Sequence, residues 1–585
     1  MMESALKKSC IEKEQQLVDD INGKNDFINS LNNDSLAQIF MLLPIPKRIV
    51  MERVCLKWKE ACELAWYDIK KYRCGNSIGG VYDNRLLTQS YVKKLLLNCS
   101  IFLKELFLSK ICDSRIIKIV GEHCKNLKKL EFVADYELKI NNDDYIQAFM
   151  SLDKLKFIKI EIIHMEWRLR RLFRNEIINY LPEEINEIHI IFKECRPKIP
   201  ILFDLKKFKN VHSLTLSNCN LTKIIQDISE KITLVYLNIE NSWVTKKCSY
   251  NFEHLFNRLV NLEHISCSKY FVTSNFLNPI FNTCKNIKYL NAPSWKDQIL
   301  GEIVIENWEN LKNMEHLTIG WETTDNVAIK MVKYCKNLQH LDISSDIRKN
   351  ITDTALQKLT ELENLKCLKL PILNDINVES VLAISNNCKE LKSLKINFYI
   401  REILYCIPVL PNLVFHELSK LQYLEYLDMS GITNFQDESI IAIVNKCKKL
   451  KNLSVQKCGH ISETGFFALT RLESLKILNV SENDVSDYFI SNLKGLKSLN
   501  CYDGFYLTDD GVIPCIKNCP DLEELDLRCT NITINSIIAA SEATKNRTND
   551  VFLHMTVGDK FKKASKSINE SKWLVLSFVS VLSGE

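Results

Sequence analysis

One apolar pattern recurs along most of the chain and limits the folds open to it more than any other feature. From about residue 100 to 530, leucine or another aliphatic residue fills the apolar positions of L-x-x-L-x-L once every two dozen or so residues. The middle apolar residue of each unit is its anchor, and seventeen anchors follow one another: Leu106, Leu130, Ile158, Ile188, Leu214, Leu237, Ile265, Leu290, Leu317, Leu341, Leu368, Leu394, Leu427, Leu453, Leu478, Leu499 and Leu525. A unit this short cannot bury an apolar face alone, so neighbouring units must stack.

Each unit predicts a strand, a turn and a helix. The L-x-L core alternates with period two, which is typical of a strand with one buried face. The remainder is helical: in "HISETGFFAL", Ser462 can cap the N-terminus while Phe466, Phe467 and Leu469 supply apolar contacts. The sequence therefore predicts an α/β fold, a curved solenoid with a parallel sheet inside and helices outside.

Many of the 22 cysteines occur at a fixed place in the repeat. One set lies three residues before the first leucine of a unit, at Cys124, Cys284, Cys335, Cys388, Cys447 and Cys519, and a second set follows the strand at Cys219, Cys458 and Cys529. A metal site needs ligands that converge on one point, whereas these are distributed one per repeat. Packed apolar thiols are favoured over metal binding or catalysis, and the absence of any C-x-x-C pair fits free thiols in a reducing compartment.

The repeat and its cysteines resemble the leucine-rich repeats, specifically their cysteine-containing subclass, over about three quarters of the chain. The spacing stretches between residues 140 and 210 and around 397–424, which predicts longer loops there. Within the first stretch, residues 166–176, "EWRLRRLFRNE", carry four arginines. They fit a solvated helix face or, as the alternative, a nucleic-acid patch.

Residues 27–73, before the repeats, follow a helical pattern instead. Apolar residues at i, i+3, i+4 and i+7 share one face of a first helix, with Asn33 or Asp34 as its cap and Pro44 and Pro46 ending it. A second helix is expected at about residues 47–54. A third continues through "VCLKWKEACELAWYD".

In the third helix, Cys55, Trp58, Cys62, Ala65 and Trp66 fall within about a third of the circumference. Seven helical residues separate the two cysteines by roughly 10 Å, which is too far for one zinc ion or a disulfide bond. The cysteines are therefore part of an apolar stripe.

This segment resembles an F-box, the small three-helix module that docks an Skp-type adaptor and, through it, a cullin and RING ligase. The residues that carry the resemblance, and that it implies bind the adaptor, are Leu31, Leu36, Ile39, Phe40, Leu43, Pro44, Val54, Cys55, Trp58 and Trp66. Asn32 stands where the family usually has proline. The alternative is that these side chains only pack the module's own core or the first repeat.

The predicted organisation is a flexible segment at 1–26, an F-box at 27–73, about seventeen leucine-rich repeats at 74–550 and a C-terminal cap or tail at 551–585. The resemblance implies the substrate-recognition subunit of an SCF-type ubiquitin ligase, which brings a target protein close to the charged enzyme and has no chemistry of its own. The alternative function is a repeat scaffold without ligase association.

Nothing in the sequence indicates an enzyme. The chain has no glycine-rich phosphate loop, no H-E-x-x-H and no G-x-S-x-G, so no catalytic residue, metal or cofactor is predicted. The formal charge of +5 is small for 585 residues and does not indicate nucleic acid. The first twenty residues lack the apolar stretch of a signal peptide, and Trp573–Leu582 is too short to span a bilayer. We expect a cytoplasmic or nuclear protein, with that run forming a closing strand.

The residue between the two strand leucines should face the concave side of the sheet, where a target protein would bind. Its charges are mixed along the repeats, so no single-sign target is indicated. Candidate target-binding residues are Asp342, Lys369, Lys395, Asp428 and Asp526 at this position, with the aromatic residues Trp295, Trp321, Tyr502 and Phe505 just past strands. Those aromatics either anchor a partner or cover turns between repeats.

Overall fold

Strands and helices alternate along the chain in the order that the repeat predicts. The computed structural model describes residues 27–75, 85–135, 141–163, 177–193, 200–245, 257–267, 274–293, 305, 307–319, 323–344, 351–372, 377–397, 412–432, 435–547, 551–565 and 571–579. The predicted flexible segment, the arginine-rich stretch and residues 398–411 lie outside them. Contacts divide the chain into two compact units: unit 1 is residues 1–195 and 207–210, and unit 2 is residues 196–206 and 211–585.

The α-helices are α1 (Phe27–Ser30), α2 (Asn33–Met41), α3 (Ile45–Met51), α4 (Leu56–Ala65), α5 (Arg85–Cys99), α6 (Ser114–His123), α7 (Asn142–Met150), α8 (Ile225–Glu230), α9 (Ser274–Thr283), α10 (Asp325–Tyr334), α11 (Asp353–Leu359), α12 (Val378–Asn387), α13 (Asp437–Lys446), α14 (Glu463–Ala468), α15 (Asp487–Ser491), α16 (Asp509–Asn518) and α17 (Ile534–Lys545). Short 3₁₀ helices lie at Trp66–Asp68, Ile177–Tyr180, Leu205–Lys207, Trp308–Leu311, Asn412–Lys420, Leu469–Arg471 and Asp559–Phe561.

The strands are β1 (Lys71–Arg73), β2 (Glu105–Leu108), β3 (Lys129–Asp135), β4 (Phe157–Ile163), β5 (Glu187–Lys193), β6 (Ser213–Ser217), β7 (Tyr236–Ile239), β8 (His264–Cys267), β9 (Tyr289–Ala292), β10 (His316–Ile319), β11 (His340–Asp342), β12 (Cys367–Ile372), β13 (Ser393–Asn397), β14 (Tyr426–Asp428), β15 (Asn452–Ser454), β16 (Ile477–Asn479), β17 (Ser498–Asn500), β18 (Glu524–Asp526), β19 (Leu553–Gly558) and β20 (Leu574–Val579).

Within each unit, consecutive strands pair in parallel and the anchors lie opposite one another. In unit 1 the register runs Leu106, Leu130, Ile158, Ile188 across β2–β5. In unit 2 it runs from Leu214 opposite Leu237 to Leu499 opposite Leu525. All seventeen anchors are at most 3% exposed. The predicted α/β repeat solenoid is confirmed, and its core is the stack of aliphatic side chains between sheet and helices.

The sheet continues beyond residue 550. β19 pairs with β18, placing Met555 opposite Leu525, and β20 pairs with β19. The segment expected to be a cap or tail thus contributes two strands to unit 2. None of the described helices is long and apolar enough to cross a membrane.

An aspartate in the first turn of one helix binds the helix start of the next repeat, and the series is called the aspartate ladder. Its acceptors are Asp325, Asp353, Asp437, Asp487 and Asp509, and its donors include Thr352, Asn377, Ser462, Thr508 and Thr533. Asp487, for example, accepts from the backbone N of Thr508 at 2.8 Å and from its Oγ1 at 2.5 Å. Gly511 makes room for this contact, since a Cβ there would lie 2.5 Å from Asp487 Oδ1. Each cap thus joins two repeats.

The turn after many strands needs a left-handed residue four positions past the anchor. Asn218, Asn241, Lys457, Glu482, Asp503 and Cys529 have φ between 54° and 63°, and Gly431 has φ 80°. The three cysteines of the second set were expected to occupy one place after the strand, and the structure places them at two. Cys219 and Cys458 lie five positions past their anchors and are fully buried, whereas Cys529 lies four past and is half-buried. Thr530 takes the buried place there.

Candidate functional site

The head, residues 27–73, is built around a small apolar core between α2 and α4. Leu36 and Phe40 pack against Ala61, Cys62 and Ala65, each at most 2% exposed. Trp58 covers this core, with its ring centroid 5.2 Å from that of Phe40. Burial raises the pKa of Cys62 to about 11, so this thiol stays protonated and acts as an apolar side chain.

Three details of the head differ from the sequence predictions. Cys55, expected in the apolar stripe of the third helix, is the exposed N-cap residue of α4, because its backbone is extended and the helix begins at Leu56. The cap of α2 is Asn32, whose side chain accepts from Ser35 N at 2.8 Å, and not Asn33 or Asp34. The second helix covers Ile45–Met51 and not 47–54. The reason is that proline lacks the N–H that a first helical turn leaves unbonded anyway, so Pro44 and Pro46 start α3 as well as ending α2.

A buried arginine that the sequence analysis did not single out joins the three helices. Arg48, 3% exposed, donates to the backbone oxygens of Met41 at 2.6 Å and Ala65 at 2.8 Å, which are the last residues of α2 and α4. It also forms a two-pronged ion pair with Asp68, at 2.6 and 2.8 Å. A cation at the carbonyl ends of two helices opposes their negative dipole ends. Arg48 therefore fixes how the helices meet.

A carboxylate connects the head to the first repeat helix. Glu52 accepts from the indole nitrogen of Trp66 at 3.1 Å, from Asn98 Nδ2 at 2.7 Å and from Lys94 Nζ at 2.7 Å. Asn98 and Lys94 belong to α5. The trailing tryptophan thus helps to seat the head on α5.

The ten residues expected to bind an adaptor fall into three environments. Leu36, Phe40 and Trp66 are buried, Leu31, Leu43 and Trp58 are half-buried, and Ile39, Pro44, Val54 and Cys55 are exposed. The buried three support the head from inside and present no surface to a partner. Leu42 and Leu56 are also exposed, at 85% and 72%. They were not predicted to bind the adaptor, because neither lies on the apolar face that the helical spacing defines.

In unit 2 the face of the sheet opposite the anchors, called the open face, carries a row of paired charges. Asp342, Lys369, Lys395 and Asp428 lie on neighbouring strands in one register. Lys369 Nζ is 3.1 Å from Asp342, and Lys395 Nζ is 3.4 Å from Asp428. Burial raises the pKa of Asp342, but hydrogen bonds from Ser344 and the charge of Lys369 outweigh it and the net pKa is lowered. The structure thus brings four predicted binding residues together as a row without net charge.

A concave cavity of about 560 Å³ adjoins this row. Its lining includes Lys395, Tyr426, Asp428, Ser430, Ser454 and Asn479. Ser430 Oγ donates to Asp428 at 2.5 Å and lies 2.8 Å from Ser454 Oγ. Burial and the neighbouring Asp428 raise the pKa of Tyr426 to about 12, so the phenol remains a neutral donor. The cavity offers hydrogen-bonding groups on a mostly neutral surface.

Five rings stack along the open face on β7–β11, and β11 also carries Asp342 of the charge row. Tyr236, His264, Tyr289, His316 and His340 occupy the residue before the anchor in β7–β11, with centroids 3.8–4.1 Å apart. Burial lowers the pKa of His264 to about 4; burial and His340 lower that of His316 to about 3. The strand position predicted to face a target protein was the residue after the anchor, and not the residue before it. A histidine or tyrosine before five successive anchors was the signal that could have revealed the stack.

The remaining predicted residues lie further along the repeats. Asp526 pairs with Arg528 at 2.6 Å, and the Arg528 guanidinium lies 4.8 Å from the Tyr502 ring centroid. Phe505 is 57% exposed, next to the exposed Tyr506. Trp295 and Trp321 lie outside the described residues.

Most of the repeat cysteines have the properties of packed thiols; Cys519 differs, because a hydrogen bond from Cys515 lowers its pKa to about 7. Every cysteine that the structure describes is a free thiol. Burial raises the pKa of Cys124, Cys284, Cys335 and Cys388 to about 12. Across the described ranges, no three histidine, cysteine or acidic side chains group in a way that could hold a metal ion.

Stacked strand–turn–helix units with buried aliphatic anchors define a leucine-rich-repeat solenoid fold. No protein-family model matches the chain. It is 29% identical over 157 residues to a protein of Arabidopsis thaliana provisionally named F-box/LRR-repeat protein 23; the match covers 26% of this chain and only 29% of that relative's length.

Solved structures align over longer stretches with low scores. A chain from the Rad7 and Elc1 complex of yeast aligns with a TM-score of 0.35 and 15% identity, over 81% of this chain and 97% of that chain. An internalin of Listeria monocytogenes aligns at 0.34 and 17% identity, over 64% and 91%. A leucine-rich-repeat protein of Leptospira interrogans aligns at 0.32 and 16% identity, over 74% and 91%.

Proposed function

We propose that this protein is the substrate-recognition subunit of an SCF-type ubiquitin ligase. In this proposal the head is an F-box that docks an Skp-type adaptor, and through it a cullin and RING ligase. The repeats, of the cysteine-containing subclass, hold the protein to be ubiquitinated. The chain itself is not an enzyme, and its contribution is to position the target.

The observation that carries the proposal is the exposed apolar surface of the head. Leu42, Val54, Leu56, Ile39 and Val50 are 43–85% exposed on a segment of fewer than 50 residues. They are called the head patch. Arg48 donates to the backbone oxygen of Met41, directly before Leu42, and so holds the end of α2 that carries part of the patch. Apolar clusters on a small helical module are typical of protein-binding sites.

Two further points support the proposal. The Arabidopsis relative has both an F-box and leucine-rich repeats in its name. In this proposal the target binds the open face of unit 2, and the cavity lined by Lys395 and Asp428 supports that assignment. Such concave surfaces are what repeat proteins use for binding.

A binding assay with purified Skp-type adaptor tests the proposal. Leu42→Asp combined with Leu56→Asp places charges on the head patch without touching the core, so adaptor binding should fall by at least tenfold. Ile101→Asp is the matched control, since Ile101 is an apolar side chain of unit 1 that is 62% exposed outside the head. It should bind like the wild type.

The outcome separates the two functions considered from the sequence. If the wild type binds no Skp-type adaptor, the chain is a repeat scaffold without ligase association. If the double variant binds as well as the wild type, docking does not use the head patch. Leu36→Ala is unsuitable for this test because Leu36 is fully buried and its loss would unfold the head.

A further inference from the structure

Two buried thiols lie side by side in unit 1, where the repeats begin. Cys74 directly follows β1, and Cys112 lies in the turn between β2 and α6. Their Sγ atoms are 3.8 Å apart, and the residues are 2% and 6% exposed. A disulfide bond needs about 2.05 Å between sulfurs. Bond formation therefore requires the two sulfurs to approach by less than about 2 Å.

The backbone around both thiols is held in place for such a bond. β1 and β2 are paired in parallel with Arg73 opposite Phe107, and Cys74 N donates to Phe107 O at 2.8 Å. Ser109, the residue after β2, donates its hydroxyl to Gly75 O at 2.9 Å and accepts from Cys112 N at 3.1 Å, which holds the turn that carries Cys112 beside Cys74. Gly75, the residue after Cys74, is exposed.

The two thiols have opposite acidities. The hydrogen bond from Cys112 lowers the pKa of Cys74 to about 7, and the same bond with burial raises that of Cys112. Ser109 Oγ, 3.7 Å from Cys74 Sγ, adds to the polar surroundings of that sulfur. Cys99 and Cys124 in the same unit differ, since burial is the main cause that raises each pKa to about 12. Only a thiolate is an effective nucleophile.

We propose that Cys74 and Cys112 form a reversible intrachain disulfide when the protein meets hydrogen peroxide. The Cys74 thiolate attacks one peroxide oxygen, the O–O bond breaks, and a sulfenic acid forms as hydroxide leaves. Cys112 sulfur then attacks the Cys74 sulfur, the S–O bond breaks, and hydroxide leaves with the Cys112 proton as water. Counting the proton already lost by Cys74, two thiols and one peroxide give one disulfide and two waters.

The disulfide would join Cys74, the first residue after the head, to the turn before α6. It closes a loop of the chain and so restricts the unfolded state, which raises the melting temperature of unit 1. This inference does not depend on adaptor docking, because neither cysteine belongs to the head patch.

Peptide mapping of the full chain after peroxide treatment tests the proposal. The reduced protein is exposed to hydrogen peroxide, alkylated, digested without reductant and analysed by mass spectrometry. We expect a peptide that links Cys74 to Cys112 and disappears on reduction with dithiothreitol. Calorimetry should show a higher melting temperature for the oxidised wild type, and no rise for Cys112→Ser.

Variants assign the two roles. In Cys112→Ser, Cys74 should accumulate as sulfenic acid that reacts with dimedone, whereas Cys124→Ser, which changes an equally buried thiol, should keep the link. The proposal would be overturned if peroxide oxidises the exposed Cys55 of the wild type while Cys74 and Cys112 both remain thiols and are alkylated. A link from Cys74 to any other cysteine would also overturn it. The wild-type measurement decides even if a variant fails to fold.

Discussion

At the scale of single residues, the head depends most on Arg48. One guanidinium supplies bonds to two helix ends and to Asp68, and 3% exposure leaves it little access to water. Removing it leaves a carboxylate and several carbonyl oxygens without their donor. The Arg48 side chain is buried but that of Asp68 is 32% exposed, so the cost lies at the low end of that for breaking a buried ion pair.

Arg48→Ala should therefore destabilise the head by about 3 kcal/mol. Hydrogen exchange of the α2 and α4 amides measures this, with protection expected to fall in the variant. Arg53→Ala is the control, because Arg53 is an exposed arginine in the same segment. Equal protection in Arg48→Ala and wild type would contradict the role given to Arg48.

The stacked histidines predict how stability changes with pH. His264, His316 and His340 have lowered pKa values in the folded protein, chiefly through burial, so they stay neutral where the unfolded chain takes up protons. Above about pH 6.5 both states are neutral and the histidines contribute nothing. Below it, the unfolded state binds more protons and the free energy of unfolding falls.

His316→Phe keeps a ring in the stack and removes one titrating group, so the loss of stability between pH 6.5 and 5 should be smaller. The full effect of one histidine is about 1.4 kcal/mol per pH unit, and partial exposure of the ring reduces it. Urea denaturation across this range measures the difference. His460→Phe, at an exposed site, controls for loss of an imidazole. Parallel curves for His316→Phe and wild type would rule out this origin of acid sensitivity.

At the scale of elements, the aspartate ladder makes each helix start depend on the previous repeat. Asp487→Ala removes the acceptor of both Thr508 bonds and should lower the free energy of unfolding by about 2 kcal/mol, since bonds to a charged group contribute more than neutral ones. Urea denaturation measures it. Glu473→Ala, at an exposed carboxylate nearby, should be neutral. A neutral Asp487→Ala would show that the ladder carries no stability.

Elements that follow from local periodicity were predictable, and contacts between repeats were not. All seventeen anchors lie in paired strands. They could be predicted because the L-x-L alternation lies within each single repeat. The bonds of Asp487 to Thr508 join residues 21 apart, and Arg48 meets Asp68 across three helices. Such partners depend on how neighbouring repeats and helices pack, and no single window of sequence contains that information. Asp342, Lys369, Lys395 and Asp428 were predicted to lie on one face of the sheet. That Lys369 pairs with Asp342, and Lys395 with Asp428, could be known only from the strand register.

At the scale of the whole molecule, the proposed function separates adaptor binding from target binding. Lys395→Ala with Asp428→Ala removes a charge pair beside the cavity without leaving one ion unpaired. Proteins that co-purify with the wild type through the open face should be lost, while adaptor binding is retained. Glu425→Ala with Lys451→Ala removes an exposed pair 2.6 Å apart, just before β14 and β15, and should keep both. Mass spectrometry of the co-purified proteins gives the comparison, and identical profiles for the two double variants would place target binding elsewhere.

The aspartate ladder has a direction, because the acceptor always belongs to the earlier repeat and the donor to the later one. Translation proceeds in the same direction. A helix start that leaves the ribosome therefore meets a carboxylate already folded into place, and no repeat has to wait for its successor to complete its cap. Truncation is unequal for the same reason: a cut before a repeat removes the carboxylate that binds its cap residue, whereas a cut after it leaves only a carboxylate for water to solvate.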